Sequence, residues 1–177
     1  MEPLERWLIS EETGAPFVNC VRCAVPLSEA MMPWLVNKDY VAGECVLEYA
    51  ICQGCRDEVA DGFSEESRES VRNFLESEVD WEARCEELAM DADPLRRIAN
   101  CIVCGAGREQ VGRFAISAMI DADGRMVMGA LPLLMCGDCV GRATAGLSPE
   151  SRQVWRAFIE NHFWGPGDDL GESPGFF

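Results

Sequence analysis

Histidine is almost missing from this chain, His162 being the only one, and basic side chains are scarce, 15 against 31 acidic ones. No apolar run approaches the roughly 18 residues that a membrane-spanning helix requires. The opening Met-Glu-Pro-Leu-Glu-Arg-Trp also lacks the basic-then-apolar order of a secretory signal. Each scarcity narrows the field. A catalytic zinc keeps a position open for water and commonly draws on histidine or a carboxylate. His162 instead lies on a helical pattern with Phe158, Ile159 and Phe163, where a packed or half-exposed ring is the expectation. A net charge of −16 repels phosphate backbones, which argues against nucleic acid as a partner. The expected setting is cytoplasmic, with no membrane association.

The acidity is uneven. Residues 1–99 carry 22 acidic against 9 basic side chains, and residues 100–177 carry 9 against 6. The densest stretch, residues 57–93, holds 14 acidic residues and three arginines. Such a run is commonly the solvated side of helices. It is also a surface on which a basic protein is steered and selected by charge complementarity.

Cysteine is abundant. Eight of the ten fall into four C-x-x-C pairs, and in a reducing compartment that pattern points to metal ligands before disulfides. Cys20 and Cys23 with Cys52 and Cys55 form one set; Cys101 and Cys104 with Cys136 and Cys139 form the second. Zinc takes four ligands at tetrahedral angles, and two C-x-x-C turns supply them. Two structural zinc ions per chain are therefore expected, with no organic cofactor and no catalytic residue. Iron in an all-cysteine site fits the same pairs, and free thiols, disulfides or a site shared between the two sets are the remaining alternatives. Cys45 and Cys85 lie on apolar stripes and read as core residues.

Taken in order, Glu2-Pro3 starts a helix with Leu4, Trp7 and Leu8 on one face, packed on the first unit and ended by Gly14-Ala15-Pro16. Asn37-Lys38-Asp39 reads as a turn. Cys45, Leu47, Tyr49 and Ile51 alternate as a strand leading to Cys52. A short helix, Arg56 to Asp61, closes on Gly62 in a left-handed cap. Ser64 caps a helix carrying Val71, Phe74, Leu75 and Val79; Asp80 caps another carrying Trp81, Cys85 and Leu88, up to a linker at Asp93-Pro94. The chain then repeats. Asn19-Cys20 matches Asn100-Cys101 at an offset of 81, and Cys52 matches Cys136 at 84, as if three residues were gained between knuckle and hairpin. Beyond that, GFSEESRESVRNFLE from Gly62 lies over GLSPESRQVWRAFIE from Gly146, which marks a duplication. Asp121-Ala122-Asp123-Gly124, flanked by Phe114 to Ile120 and by Met126 and Met128, is the second hairpin turn. Residues 165–177 end in Phe176-Phe177 and have no periodicity, as expected of a flexible tail.

Knuckle, hairpin, then knuckle at a helix start resembles the treble-clef group of zinc fingers, with the zinc ribbon as nearest relative, over roughly residues 19–79 and 100–163. Only Cys104-Gly105 has the glycine that commonly follows a knuckle; Ala24, Arg56 and Val140 stand at the other three. The nucleases of that group depend on a histidine near the hairpin, which this chain lacks there. The expected fold is α+β: two tandem pseudo-symmetric zinc-finger units (knuckle, β-hairpin, knuckle, helices), residues 1–93 and 94–164, with the tail 165–177. The expected role is non-catalytic, a protein-interaction module, adaptor or inhibitor whose acidic side meets a basic partner. The alternative is a nucleic-acid-associated regulator using Arg108, Arg113, Arg125 and Arg142.

Overall fold

Apolar residues from Trp34 to Ile51 fold into a hairpin of two strands, β1 (Trp34–Val41) and β2 (Glu44–Cys52). Its turn is at Ala42-Gly43, where both residues take positive φ, 51° and 85°. In the computed structural model, which describes residues 4–91 and 93–163, β1 pairs on its other side with β3 (Arg113–Ile120), and β3 with β4 (Leu133–Cys136). All pairings are antiparallel, giving one four-stranded sheet in the order β2-β1-β3-β4. Phe114 stands opposite Cys136 as Trp34 stands opposite Cys52, so corresponding strand residues are 80 apart. The longer spacing of the second cysteine set therefore lies between β3 and β4, not between the knuckle and β3.

The turn expected at Asn37-Lys38-Asp39 lies instead in the middle of β1, and all three residues are buried. Much of their polarity is met by tertiary partners that local sequence cannot reveal, although Asn37 Nδ2 is buried without a hydrogen-bond partner among the described residues. Ser117 Oγ donates to Asn37 Oδ1 at 2.8 Å. Lys38 Nζ donates to Ile9 O at 2.8 Å and Glu11 Oε1 at 3.0 Å, and lies 3.4 Å from Glu48 Oε2. Asp39 is drawn to the charge of Arg113.

The expected N-terminal helix is only a 3-10 turn, Leu4–Trp7. Farther along, the segment is held to β2: the Glu48 carboxylate accepts from Ser10 Oγ at 2.6 Å, Glu11 N at 2.8 Å and Glu12 N at 3.2 Å. Its packing also differs from expectation. Leu4 joins the core around the second cysteine set, and Trp7 sits 5.5 Å from Tyr40 and 6.4 Å from Phe114 between ring centroids. The segment then crosses the sheet as a strap toward the first knuckle.

Five helices complete this mixed α/β arrangement among the described residues: α1 (Gln53–Asp61), α2 (Glu65–Glu78), α3 (Trp81–Ala89), α4 (Gly137–Thr144) and α5 (Pro149–His162). Ser64, Asp80 and Ser148 accept from the amides of Ser67, Ala83 and Ser151 at the starts of α2, α3 and α5, the capping expected of such residues. Gly62 is not left-handed, its φ being −69°. Close approach explains the glycine: a Cβ there would lie 3.1 Å from Val154 Cγ1 of α5. Helices cross between the halves. Trp155, Phe158 and Ile159 of α5 pack into the core that holds Tyr49, Cys20, Cys52 and Cys55, with Tyr49 and Phe158 edge to face at 5.7 Å. Conversely α2 lies against α4. Where α2 and α5 begin, four serines close on one another: Ser64 N donates to Ser151 Oγ at 3.0 Å and Ser148 N to Ser67 Oγ at 2.9 Å, with the Ser64 and Ser148 hydroxyls 3.3 Å apart. The tail and its Phe176-Phe177 lie outside the described residues.

Candidate metal centres

Each cysteine set is assembled from a tight turn and a strand end. Around Cys20 and Cys23 the turn closes through Cys20 N to Val25 O at 3.0 Å and Ala24 N to Cys20 O at 2.9 Å. Around Cys101 and Cys104 it closes through Cys101 N to Ala106 O and Gly105 N to Cys101 O, both 2.9 Å. The turns are tied to the sheet's outer edges, Val21 N donating to Ala50 O on β2 and Ile102 N to Leu134 O on β4. Those strands end in Cys52 and Cys136, the N-caps of α1 and α4, and place Cys55 and Cys139 in the first helical turn. A helix start is a favourable place for thiolate, since the free amides and the helix dipole carry partial positive charge there.

The result is two clusters at opposite edges of the sheet. The sulfurs of Cys20, Cys23, Cys52 and Cys55 all lie within 4.8 Å of one another, as do those of Cys101, Cys104, Cys136 and Cys139. No cysteine is in a disulfide. Sulfurs at 2.3 Å from a tetrahedral zinc are about 3.8 Å apart; Cys23 and Cys52 are at 4.0 Å and Cys104 and Cys136 at 3.7 Å. Both sets thus have the donor chemistry and the spacing to hold a metal ion such as Zn²⁺. In each, three sulfurs are buried and one, that of Cys23 or Cys104, belongs to an exposed residue.

Electrostatics divide the ligands. Burial raises the thiol of Cys20, but amides of Cys23, Cys52 and Arg22 outweigh it and bring the group down to about 7. Cys101 is lowered in the same way against its own burial, by the amides of Cys104, Cys136 and Val103. Cys52 and Cys136 donate those amides at 3.4 and 3.3 Å, yet their own thiols are raised, chiefly by burial, as are those of Cys55 and Cys139. Four thiols in one pocket cannot all ionise without a cation, which is the service a divalent metal performs.

No known relative emerges: no family model matches the chain, and no curated protein or solved structure matches it either.

The structure keeps the two cysteine sets separate, each closed within its own half. Ala24 takes φ 59° where the second turn has Gly105 at 73°, so the position called for glycine and the first turn holds an alanine there under strain. Cys45 and Cys85 are half-buried and outside both clusters. His162 is half-buried, 5.2 Å from the Phe158 ring, and belongs to neither cysteine cluster. The four arginines of the nucleic-acid alternative are engaged locally. Arg108 stacks 4.1 Å over Trp7, Arg142 pairs with Glu78 at 2.6 Å, Arg125 lies 4.0 Å from Asp123, and the charge of Arg113 acts on Asp39. Sequence reasoning missed two cations beside the sulfurs: Arg22, which is bound to Glu58 and reaches Cys55, and Arg142, which reaches Cys139. The signal was present for both: Arg22 lies inside the first C-x-x-C pair, and Arg142 follows Cys139 by three residues on α4, which puts the two on one face.

Proposed function

We propose that this chain is a non-catalytic zinc protein, a duplicated treble-clef-like scaffold that serves as an interaction module, adaptor or inhibitor for a basic protein. Several features support the duplicated, pseudo-symmetric reading. Asn37 and Ser117, 80 apart, face each other in the sheet, and Ser64 and Ser148, 84 apart, meet at the helix starts. A pseudo-twofold axis through those two points relates one half to the other. Zinc would be held by the two cysteine tetrads and would supply folding free energy, on the order of 10 kcal/mol per site.

The observation that carries the partner reading is the state of the acidic side chains on α2 and α3. Glu65, Glu66, Glu69, Glu76, Glu82 and Glu86 are exposed, and none has an ion-pair partner among the described residues. An unneutralised acidic ridge on rigid helices favours encounter with a cationic surface. The test is a pull-down with the metal-loaded chain, followed by the same experiment with Glu65, Glu66 and Glu69 all changed to Arg. Enrichment of strongly basic proteins that is lost in the variant supports the reading; the same partners in both reject it.

A further inference from the structure

Applied to one face of the sheet, the pseudo-twofold exposes an asymmetry. Counterparts 80 apart match the cross-strand pair Tyr40–Phe114 with the pair Ile120–Trp34. The first pair is stacked at 4.9 Å and closed over by Trp7 and Leu4 of the N-terminal turn, with Arg108 stacked on Trp7. Among the described residues the matching pair has no such cover. Trp34 and Ile120 are only half-buried and line an open groove of about 420 Å³, together with Leu8, Phe17 and Met126. The same chain thus shows both ends of one face, one occupied and the other open among the described residues.

We propose that this groove is a docking site for a short segment of a partner protein carrying a leucine and an aromatic residue three apart, with basic residues beside them. The occupied end supplies the template: a single helical turn whose Leu4 and Trp7 reach the sheet, flanked by arginine. The charge requirement comes from the rim. The turn that borders the groove at Gly124 holds Asp121 and Asp123 against Arg125, a net negative edge. Exposed Val18 follows Phe17 at the same margin, 66% accessible, extending the apolar contact area. The inference rests on the interaction-module reading and assigns it a second contact, apolar and separate from the ridge of α2 and α3.

The test uses the metal-loaded full chain and a fluorescent synthetic peptide with leucine and tryptophan three apart between flanking arginines, read by anisotropy. Binding in the micromolar range is expected, falling at least about tenfold for Ile120→Glu, as for removal of an interface anchor. Met126→Glu at the rim is the second variant, and intact mass under native conditions shows that each variant keeps its metal. The variant with Glu65, Glu66 and Glu69 changed to Arg should bind the peptide nearly as wild type does, so failure of the acidic-ridge reading and failure of the groove give different results. Equal affinity for a glutamate-flanked peptide, undiminished binding by both groove variants, or a concentration-dependent dimer that excludes the peptide would each overturn the proposal.

Discussion

At position 39 a carboxyl group is held in the interior of β1, 7% exposed, where burial pushes it up to about 6 in spite of the attraction of Arg113. An acid raised in the folded state makes the fold less stable as pH rises. Below its ordinary value near 4 both states are protonated; between there and about 6 the unfolded chain ionises first and stability declines; above that the penalty is constant. Asp39→Asn removes the penalty. Chemical denaturation should show a gain on the order of 2 kcal/mol near pH 7.5 and a clearly smaller one near pH 5. Equal gains at both pH values would mean that the charge is not what the substitution relieves. Glu48 on β2 behaves in the opposite sense: burial raises it, but Ser10 and the amides of Glu11 and Glu12, with Lys38, hold it below its usual value.

Among the elements, the starts of α2 and α5 are where the halves interlock most specifically. Ser67 and Ser151 are fully buried, and each accepts from the first amide of the opposite segment, Ser148 N and Ser64 N. Changing Ser67 to Ala leaves the Ser148 amide without that acceptor, at a cost of about 1–2 kcal/mol. Ser151→Ala should do the same to Ser64, and the double variant should fall short of the sum by about 0.5 kcal/mol or more, because both hydroxyls join one network. Additive losses in urea melts would show two independent caps. These helices were legible in the sequence, since Ser64, Asp80 and Ser148 precede regular apolar spacing and the cysteine pairs name their own partners. What was not legible depended on residues far away. Asn37-Lys38-Asp39 has the composition of a turn and becomes a strand only because Ser117, Glu11, Glu48 and Arg113 arrive from elsewhere. Gly62 has the look of a helix stop and is instead a gap kept for Val154. The strap is held to β2 because Glu48, 36 residues from Glu12, captures its amides.

For the molecule as a whole, the crossing of α2 and α5 ties each cysteine set to the other half's helix. Phe158 and Ile159 of α5 pack in the core that contains Cys20, Cys52 and Cys55, while Leu75 of α2 touches both cores. A half that loses its metal should therefore loosen a helix its neighbour needs, and the two ions should leave together. Stepwise chelation followed by native mass measurement should show mainly the doubly loaded and bare chains, with the singly loaded form scarce and the far-UV helical signal falling in parallel. A dominant one-metal species that keeps full helicity would show the halves to be independent.

Lys38 is the only lysine in the chain, and its ammonium lies sealed beneath the strap between Glu11 and Glu48. The folded surface described here therefore presents no side-chain amine. Acylating reagents, amine-directed cross-linkers and isopeptide-forming modifiers such as ubiquitin find their single lysine target only when the strap lifts, so the rate at which that one nitrogen is labelled is a clock for its opening.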